Sequence, residues 1–346
     1  MAALRFLCLA SVLWLGSIAS AQSDSTLGGT APVTPTPSAS PLQKARSATV
    51  QVSASAIKDA ASARTLGQLR QGSGVVIGLD NLILTIGYLI LETEQVTLRT
   101  ADQKSYPARV VGLDNATGLA LLRPLLPVPA IEPVALGQAG VADVGQTFAV
   151  SSGDGQQAVQ ATRLMDVRSF TGYWEYHLET ALYASPPVDN HSGAGLFNAQ
   201  GELVGIGSLL MQDILPENDP RAMAGNLFVP TWLLGPALQQ LQQTGSLPQK
   251  SRPWLGINAV ERNGRIQITR VTPESPAAQG GLSVGAIVLS LDGEPLSSLA
   301  SFYKKVWDKP LEAGVFEVTV QDRGQTRQIQ LPVRDRTQSM RRPTAI

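Results

Sequence analysis

Ser192 is the residue around which chemistry could be built. It lies in the stretch Val188-Asp-Asn-His-Ser-Gly-Ala-Gly-Leu-Phe-Asn-Ala-Gln-Gly-Glu-Leu-Val-Gly-Ile-Gly207. Gly193, Ala194 and Gly195 leave room for a ligand to approach the backbone, and glycine permits turns that aim N–H groups inward. The pair Leu196-Phe197, the turn residues Asn198 to Gly201 and the apolar run Leu203 to Ile206 predict a tight hairpin directly afterwards. A serine on a glycine-rich loop before a hairpin can be presented as an acyl-transfer nucleophile beside an oxyanion hole. A serine hydroxyl is a weak nucleophile at neutral pH, so it needs a base and a carboxylate to orient that base. By itself, the stretch reads equally well as a Gly/Ser turn in any β protein.

The elements that would position Ser192 are short strands. Ser47–Val52, Gln71–Ile77, Asn81–Ile86, Val96–Arg99, Tyr106–Val111, Leu119–Leu122, Thr147–Val150, Val159–Thr162 and Trp174–Leu178 are predicted strands separated by turn residues. Leu234 to Gln243 has helical spacing and closes this unit before Gly245-Ser-Leu-Pro248. A second unit follows Pro253. It has predicted strands at Arg265–Val271, Gly285–Gly293, Val315–Val320 and Arg327–Val333. A short helix is predicted at Ser275–Leu282, and a longer one at Leu296–Asp308 with Leu299, Phe302, Tyr303 and Val306 on one stripe.

Several of these segments resemble the HtrA (Deg) family of trypsin-like serine proteases. Gly72-Ser-Gly-Val-Val-Ile77 is similar to that family's first Gly-Ser-Gly strand, and Ile83-Leu-Thr85 to the Ile-Leu-Thr before its histidine. Leu113 to Thr117 with Leu119 to Leu122 is similar to the segment around its aspartate. Asn190-His-Ser-Gly-Ala-Gly195 is similar to its Gly-Asn-Ser-Gly-Gly-Pro, and Asn226-Leu-Phe-Val-Pro230 to its last strand. In the second unit, Trp254-Leu-Gly-Ile257, Ser275-Pro-Ala-Ala278, Gly281-Leu282, Gly285 and Asp292-Gly293 closely resemble the PDZ domain attached to these proteases. The resemblance implies a mainly β chain: a chymotrypsin-like double six-stranded β-barrel followed by a PDZ domain, a small β-sandwich capped by helices.

Carried over residue by residue, the family's catalytic triad is incomplete. Ser192 takes the nucleophile position, Tyr88 falls at the histidine position and Gly118 at the aspartate position. A phenol with pKa near ~10 is protonated at neutral pH and cannot act as imidazole does. Asn190 and His191 take the oxyanion-hole positions, with Asn190 in place of a glycine. Phe228 replaces a small residue near the expected specificity pocket. Of the two histidines, His191 adjoins Ser192 and would point away from it, and His177 reads as structural or surface. Asp102 and Asp114 lie near the lost positions but off the motif. Loss of the base in such a protease costs on the order of 10⁶ in turnover. The expectation is a protease fold without protease chemistry. The alternative is an active serine-type endopeptidase that uses Ser192 with an unrecognised base. In the PDZ unit, Trp254, Leu255, Gly256 and Ile257 are expected to bind a peptide carboxylate through backbone N–H groups.

Composition bounds the remaining possibilities. The chain has 346 residues with 27 basic and 27 acidic side chains, so nothing points to a nucleic-acid partner. With two histidines and one cysteine, Cys8, no metal site and no cofactor is expected. Met1–Arg5, the apolar Phe6–Ile18 and Ala19-Ser-Ala21 read as a signal peptide over residues 1–21, its apolar run shorter than a membrane span requires, with an uncleaved anchor as the alternative. A mature chain without cysteine suits a bacterial periplasm, with no transmembrane span after cleavage. Residues 22–44 read as a disordered Pro/Ser/Thr linker, 45–247 as the protease-fold domain, 252–334 as the PDZ domain and 335–346 as a flexible basic tail. The expected partners are peptide C-termini or unfolded proteins. The resemblance also allows a homo-oligomer, a trimer in relatives of this kind. Envelope protein quality control or regulation of an active relative would be the role.

Overall fold

Apolar alternation with period two builds the first barrel. The structure, a computed structural model, describes residues 40–341 apart from 79, 129–130, 141, 154–158, 217–218 and 245–251. The expected signal peptide, most of the linker, the Gly245–Pro248 break and the last five residues lie outside the described residues. Strand β1 (Thr49–Ala56) turns Val50, Val52, Ala54 and Ala56 inward. With β2 (Leu69–Val76), β3 (Ile83–Ile86), β4 (Thr93–Arg99), β5 (Ser105–Leu113) and β6 (Leu119–Pro124) it closes in the order β1-β2-β3-β6-β5-β4. The second barrel joins β7 (Thr147–Ser151), β8 (Val159–Gly172), β9 (Tyr176–Ser185), β10 (Gly195–Phe197), β11 (Leu203–Met211) and β12 (Gly225–Pro230) in the order β10-β11-β12-β9-β8-β7. Closure leaves neither sheet with a free edge.

Two expectations from the sequence are corrected here. The end of the linker is ordered: α1 (Pro41–Ala48) is helical, and Ser40 and Gln43 cap it reciprocally. It buries Ala45 and Ala48, so the first strand starts at Thr49 and not at Ser47. The β8–β9 hairpin is far longer than the two short strands expected. It pairs Arg163 with Ser185 through to Gly172 with Tyr176. Register shifts after Leu164 and after Arg168 break the alternation, and this hid the strand in the sequence.

A four-residue helix α2 (Ala63–Leu66) links β1 to β2, and α3 (Gly235–Thr244) follows the second barrel. The remaining strands are β13 (Pro253–Trp254), β14 (Ile257–Arg262), β15 (Arg265–Val271), β16 (Ile287–Leu291), β17 (Glu294–Pro295), β18 (Val315–Asp322), β19 (Gln325–Pro332) and β20 (Arg334–Asp335). They form a sheet ordered β14-β15-β16-β18-β19, with β17 on β16 and a separate β13–β20 pair. Helices α4 (Pro276–Gln279) and α5 (Leu299–Asp308) are capped by Ser275 and Ser298. The α5 stripe Leu299, Phe302, Tyr303 and Val306 is core, buried with Ile257, Ala259 and Val318.

The expected flexible tail is also corrected over its described part. Asp335 pairs with Pro253, and Arg336–Ser339 form a 3₁₀ turn in which the Asp335 carboxylate accepts from Thr337 N–H at 2.9 Å. The Arg341 N–H then reaches the Glu92 carboxylate on the first barrel at 2.9 Å.

The two barrels meet at the Ser192 loop. Ser73 N–H donates to the Ser192 carbonyl at 2.8 Å, and Gly153 N–H donates to Ser73 Oγ at 2.9 Å. Gly193 has φ +74°, and a Cβ there would lie 2.0 Å from the Ser73 carbonyl oxygen. Gly193→Ala is therefore expected to cost more than the ~1–2 kcal/mol of a left-handed alanine alone. Gly264→Ala, at φ +67° in open space, isolates that backbone cost. Urea-unfolding midpoints of the two variants check the difference, and equal losses would contradict the packing argument.

Candidate functional site

Tyr88 sits on the 3₁₀ turn Gly87–Leu89 directly after β3. Arg70, buried at 5% exposure, holds this turn: its guanidinium donates to the carbonyls of Tyr88 at 3.1 Å and Leu91 at 2.7 Å. Gly87 N–H donates to the Gly118 carbonyl at 2.7 Å, so the turn that carries Tyr88 is joined to Gly118 through the backbone.

The Tyr88 hydroxyl lies 2.8 Å from Ser192 Oγ and 2.9 Å from the Ser208 carbonyl. A phenol has one proton and a carbonyl only accepts. Both contacts are satisfied when Tyr88 donates to Ser208 and Ser192 donates to Tyr88. The serine proton is thus held by a group that binds it poorly. Accepting it would create an oxonium, and burial pushes Tyr88 itself up to about 12, so a phenolate acceptor is absent near neutral pH.

Among the described residues, no carboxylate is hydrogen-bonded to the Tyr88 hydroxyl, whose partners are Ser192 and Ser208. Gly118 has φ +75°, and a Cβ on it would lie 3.3 Å from the Tyr176 hydroxyl. That hydroxyl donates to the Thr117 carbonyl at 2.5 Å. The space behind Gly118 is therefore taken by a buried tyrosine from β9, whose pKa burial also raises. Asp114 is engaged locally, accepting from Thr117 Oγ1 at 2.8 Å.

Neither histidine is brought to Ser192 as a base. His191 directs Nδ1 to the Asp189 carbonyl at 2.9 Å, so that nitrogen carries the proton. His177 is buried 2.8 Å from Thr171 Oγ1, and burial lowers its pKa. Asn190 is exposed and does not use the left-handed backbone. Sequence reasoning missed Asn226. Its buried side chain accepts from Val188 N–H at 2.6 Å and donates to the carbonyls of Val188 and Leu209. It stitches together the two segments that flank Ser192. Phe228, 1% exposed, joins Val188 and Ala194 in one buried cluster. A cavity of about 500 Å³ lies elsewhere, beside Asp143, Thr147 and Glu202.

The PDZ loop is already filled. The Glu175 carboxylate accepts from the N–H groups of Leu255 at 2.8 Å, Gly256 at 2.9 Å and Ile257 at 3.2 Å. Trp254, next to this loop, pairs with Arg334. Glu175 is 3% exposed, and nothing in the sequence singled it out.

The "Trypsin-like peptidase domain" family profile matches residues 72–206, and the "PDZ domain" profile matches 253–333. The chain is HtrA-like, a trypsin-like peptidase fold followed by a PDZ domain. It is 28% identical over 244 residues to a probable periplasmic serine endoprotease, DegP-like, of Pseudomonas fluorescens, covering 65% of this chain and 48% of that one. It is 25% identical over 264 residues to a probable serine protease, do-like, of Buchnera aphidicola, covering 71% and 53%. This HtrA-like chain spans about half the length of the curated relatives it matches. Among solved structures, the HtrA-type protease AlgW with a tripeptide shares its fold, with TM-score 0.51 and 20% identity over 86% of this chain and 96% of that one.

The geometry sets an expected pH profile for Ser192. Labelling by a fluorophosphonate should rise with hydroxide and show no inflection near pH 7, because Tyr88 titrates at about 12. Tyr88→His should introduce an inflection near imidazole's ~6.5. Adding Gly118→Asp should not raise the rate further and should lower the urea midpoint, because φ is +75° and Tyr176 occupies the space. A gain in rate from the aspartate would show that the site can still accept a triad.

Proposed function

We propose that this HtrA-like chain is an exported pseudoprotease that binds peptide C-termini or unfolded partner proteins through its PDZ domain. It would act in envelope protein quality control or as regulator of an active relative. The observation that carries the reading is the 2.8 Å contact between Ser192 and a protonated Tyr88, with Gly118 and Tyr176 where an orienting carboxylate would stand. Without a base, an oxyanion hole and binding alone leave ~10³–10⁴ over water. The DegP-like relatives' periplasmic naming and the N-terminal signal pattern support export to the periplasm. No helix among the described residues is long and apolar enough to cross a membrane. Assembly into a homo-oligomer, a trimer as in HtrA relatives, belongs to the same reading.

Treating the purified protein with a fluorophosphonate probe tests the reading, beside Ser192→Ala and an unfolded-casein digestion. The expected result is no Ser192-dependent labelling at pH 7.5 within the time that labels trypsin fully, and intact casein. Ser192-dependent labelling with cleavage would establish a serine endopeptidase with another base.

A further inference from the structure

The tip of the β8–β9 hairpin lies in the PDZ unit in the manner of a bound peptide. A PDZ ligand makes two kinds of backbone contact: its terminal carboxylate enters a loop of N–H donors, and its preceding residues add a strand to the sheet. Glu175 makes the first of these here, and Tyr173 makes one backbone bond of the second kind. The Glu175 carboxylate takes all three loop donors, from Leu255, Gly256 and Ile257. Two residues earlier, the Tyr173 carbonyl accepts from Ala259 N–H of β14 at 2.8 Å. A side-chain carboxylate stands in for a chain terminus, with the strand contact in the same direction along the groove.

The tip is built to hold this position. Glu175 adopts φ +55°, a conformation that costs a non-glycine residue ~1–2 kcal/mol and persists where its surroundings enforce it. Trp174 stacks on Tyr176 with centroids 5.7 Å apart and an interplanar angle of 9°, and Tyr173 meets Trp174 edge-on at 4.9 Å. On the other side of the groove, Lys304 of α5 pairs with Glu179 of β9 at 2.6 Å. Charge-assisted bonds from backbone N–H to a buried carboxylate are among the stronger hydrogen bonds. A tethered ligand also competes at an effective concentration on the order of millimolar.

We propose that the Tyr173–Glu175 turn is an internal ligand of the PDZ groove, which is closed in the resting chain and admits a partner's free C-terminus only when this turn leaves. The inference rests on the reading of that groove as a peptide site and adds its regulation. An external peptide then binds with its intrinsic affinity divided by the open fraction, so a groove open ~1% of the time weakens binding about 100-fold.

Hydrogen exchange and peptide binding on the full chain test this together. The probe is a fluorescein-labelled Phe-Thr-Gly-Tyr-Trp-Val peptide with a free carboxylate, beside its C-terminal amide. Glu175→Gly removes the carboxylate and relieves the positive φ; Glu175→Gln keeps the side-chain shape and loses the charge. The expected result is that the amides of 255–257 and 259 exchange at least tenfold faster in Glu175→Gly than in the native protein. The free-carboxylate peptide should bind Glu175→Gly at least tenfold tighter, with Glu175→Gln between, and the amide peptide should bind none of them. Equal protection in native and variant proteins would show that Glu175 does not occupy the loop. Equal peptide affinity in all three would show that the groove is open. Released amides with no peptide binding to any protein would sink the peptide-site reading itself, and the closure with it.

Discussion

A buried carboxylate cannot be left without partners. The rest of the two-unit arrangement follows from how Glu175 meets that constraint. Its three N–H donors all come from the PDZ loop, while the residue itself belongs to a hairpin of the second barrel. Burial pushes its pKa up; the donated amides, together with the nearby Arg336 guanidinium, oppose that shift. Separating the units would strand three loop donors and one carboxylate, unless water or another carboxylate replaced them. Polar complementarity at Glu175 therefore ties the PDZ unit to the second barrel. Arg252 stacked over Trp307 at 3.5 Å, with its pKa lowered by burial to about 10, lies in the same polar seam.

The same hairpin reaches the Ser192 site. Tyr176 follows Glu175 directly and fills the space behind Gly118. Gly118 in turn accepts from Gly87, the neighbour of Tyr88, which contacts Ser192. A continuous path of covalent neighbours and hydrogen bonds thus runs from the PDZ loop to Ser192. The path ends on a phenol that holds the Ser192 hydroxyl in place, and the proposed role of the chain lies in what the PDZ groove accepts.

Much of the fold was legible because it is written in local patterns. The alternation over Ser47–Val52 gave a strand, and Gly72-Ser-Gly74 gave the start of another; that it passes tightly under the Ser192 loop, where a Cβ at Gly72 would lie 2.6 Å from the Ser192 carbonyl, only the structure shows. That residue 88 is a tyrosine and residue 118 a glycine was legible directly, since each sits beside a recognisable run. The long β8–β9 hairpin was not, because its bulges break the period on which strand reading depends. Ordering of α1 and of residues 335–341 was missed because composition registers polarity and not the caps and contacts that polar side chains find.

The sequence alone determined which groups are absent: no imidazole at residue 88 and no carboxylate at residue 118, facts of identity that no folding can reverse. The tertiary structure decided what fills the space they leave and what meets the PDZ loop. Tyr176, Asn226 and Glu175 are ordinary residues in one dimension, and their partners are 59, 38 and about 80 positions away in sequence. Hydrogen bonding acts over about 3 Å of space, so its effect on a buried tyrosine or carboxylate exists only once the chain has closed around it.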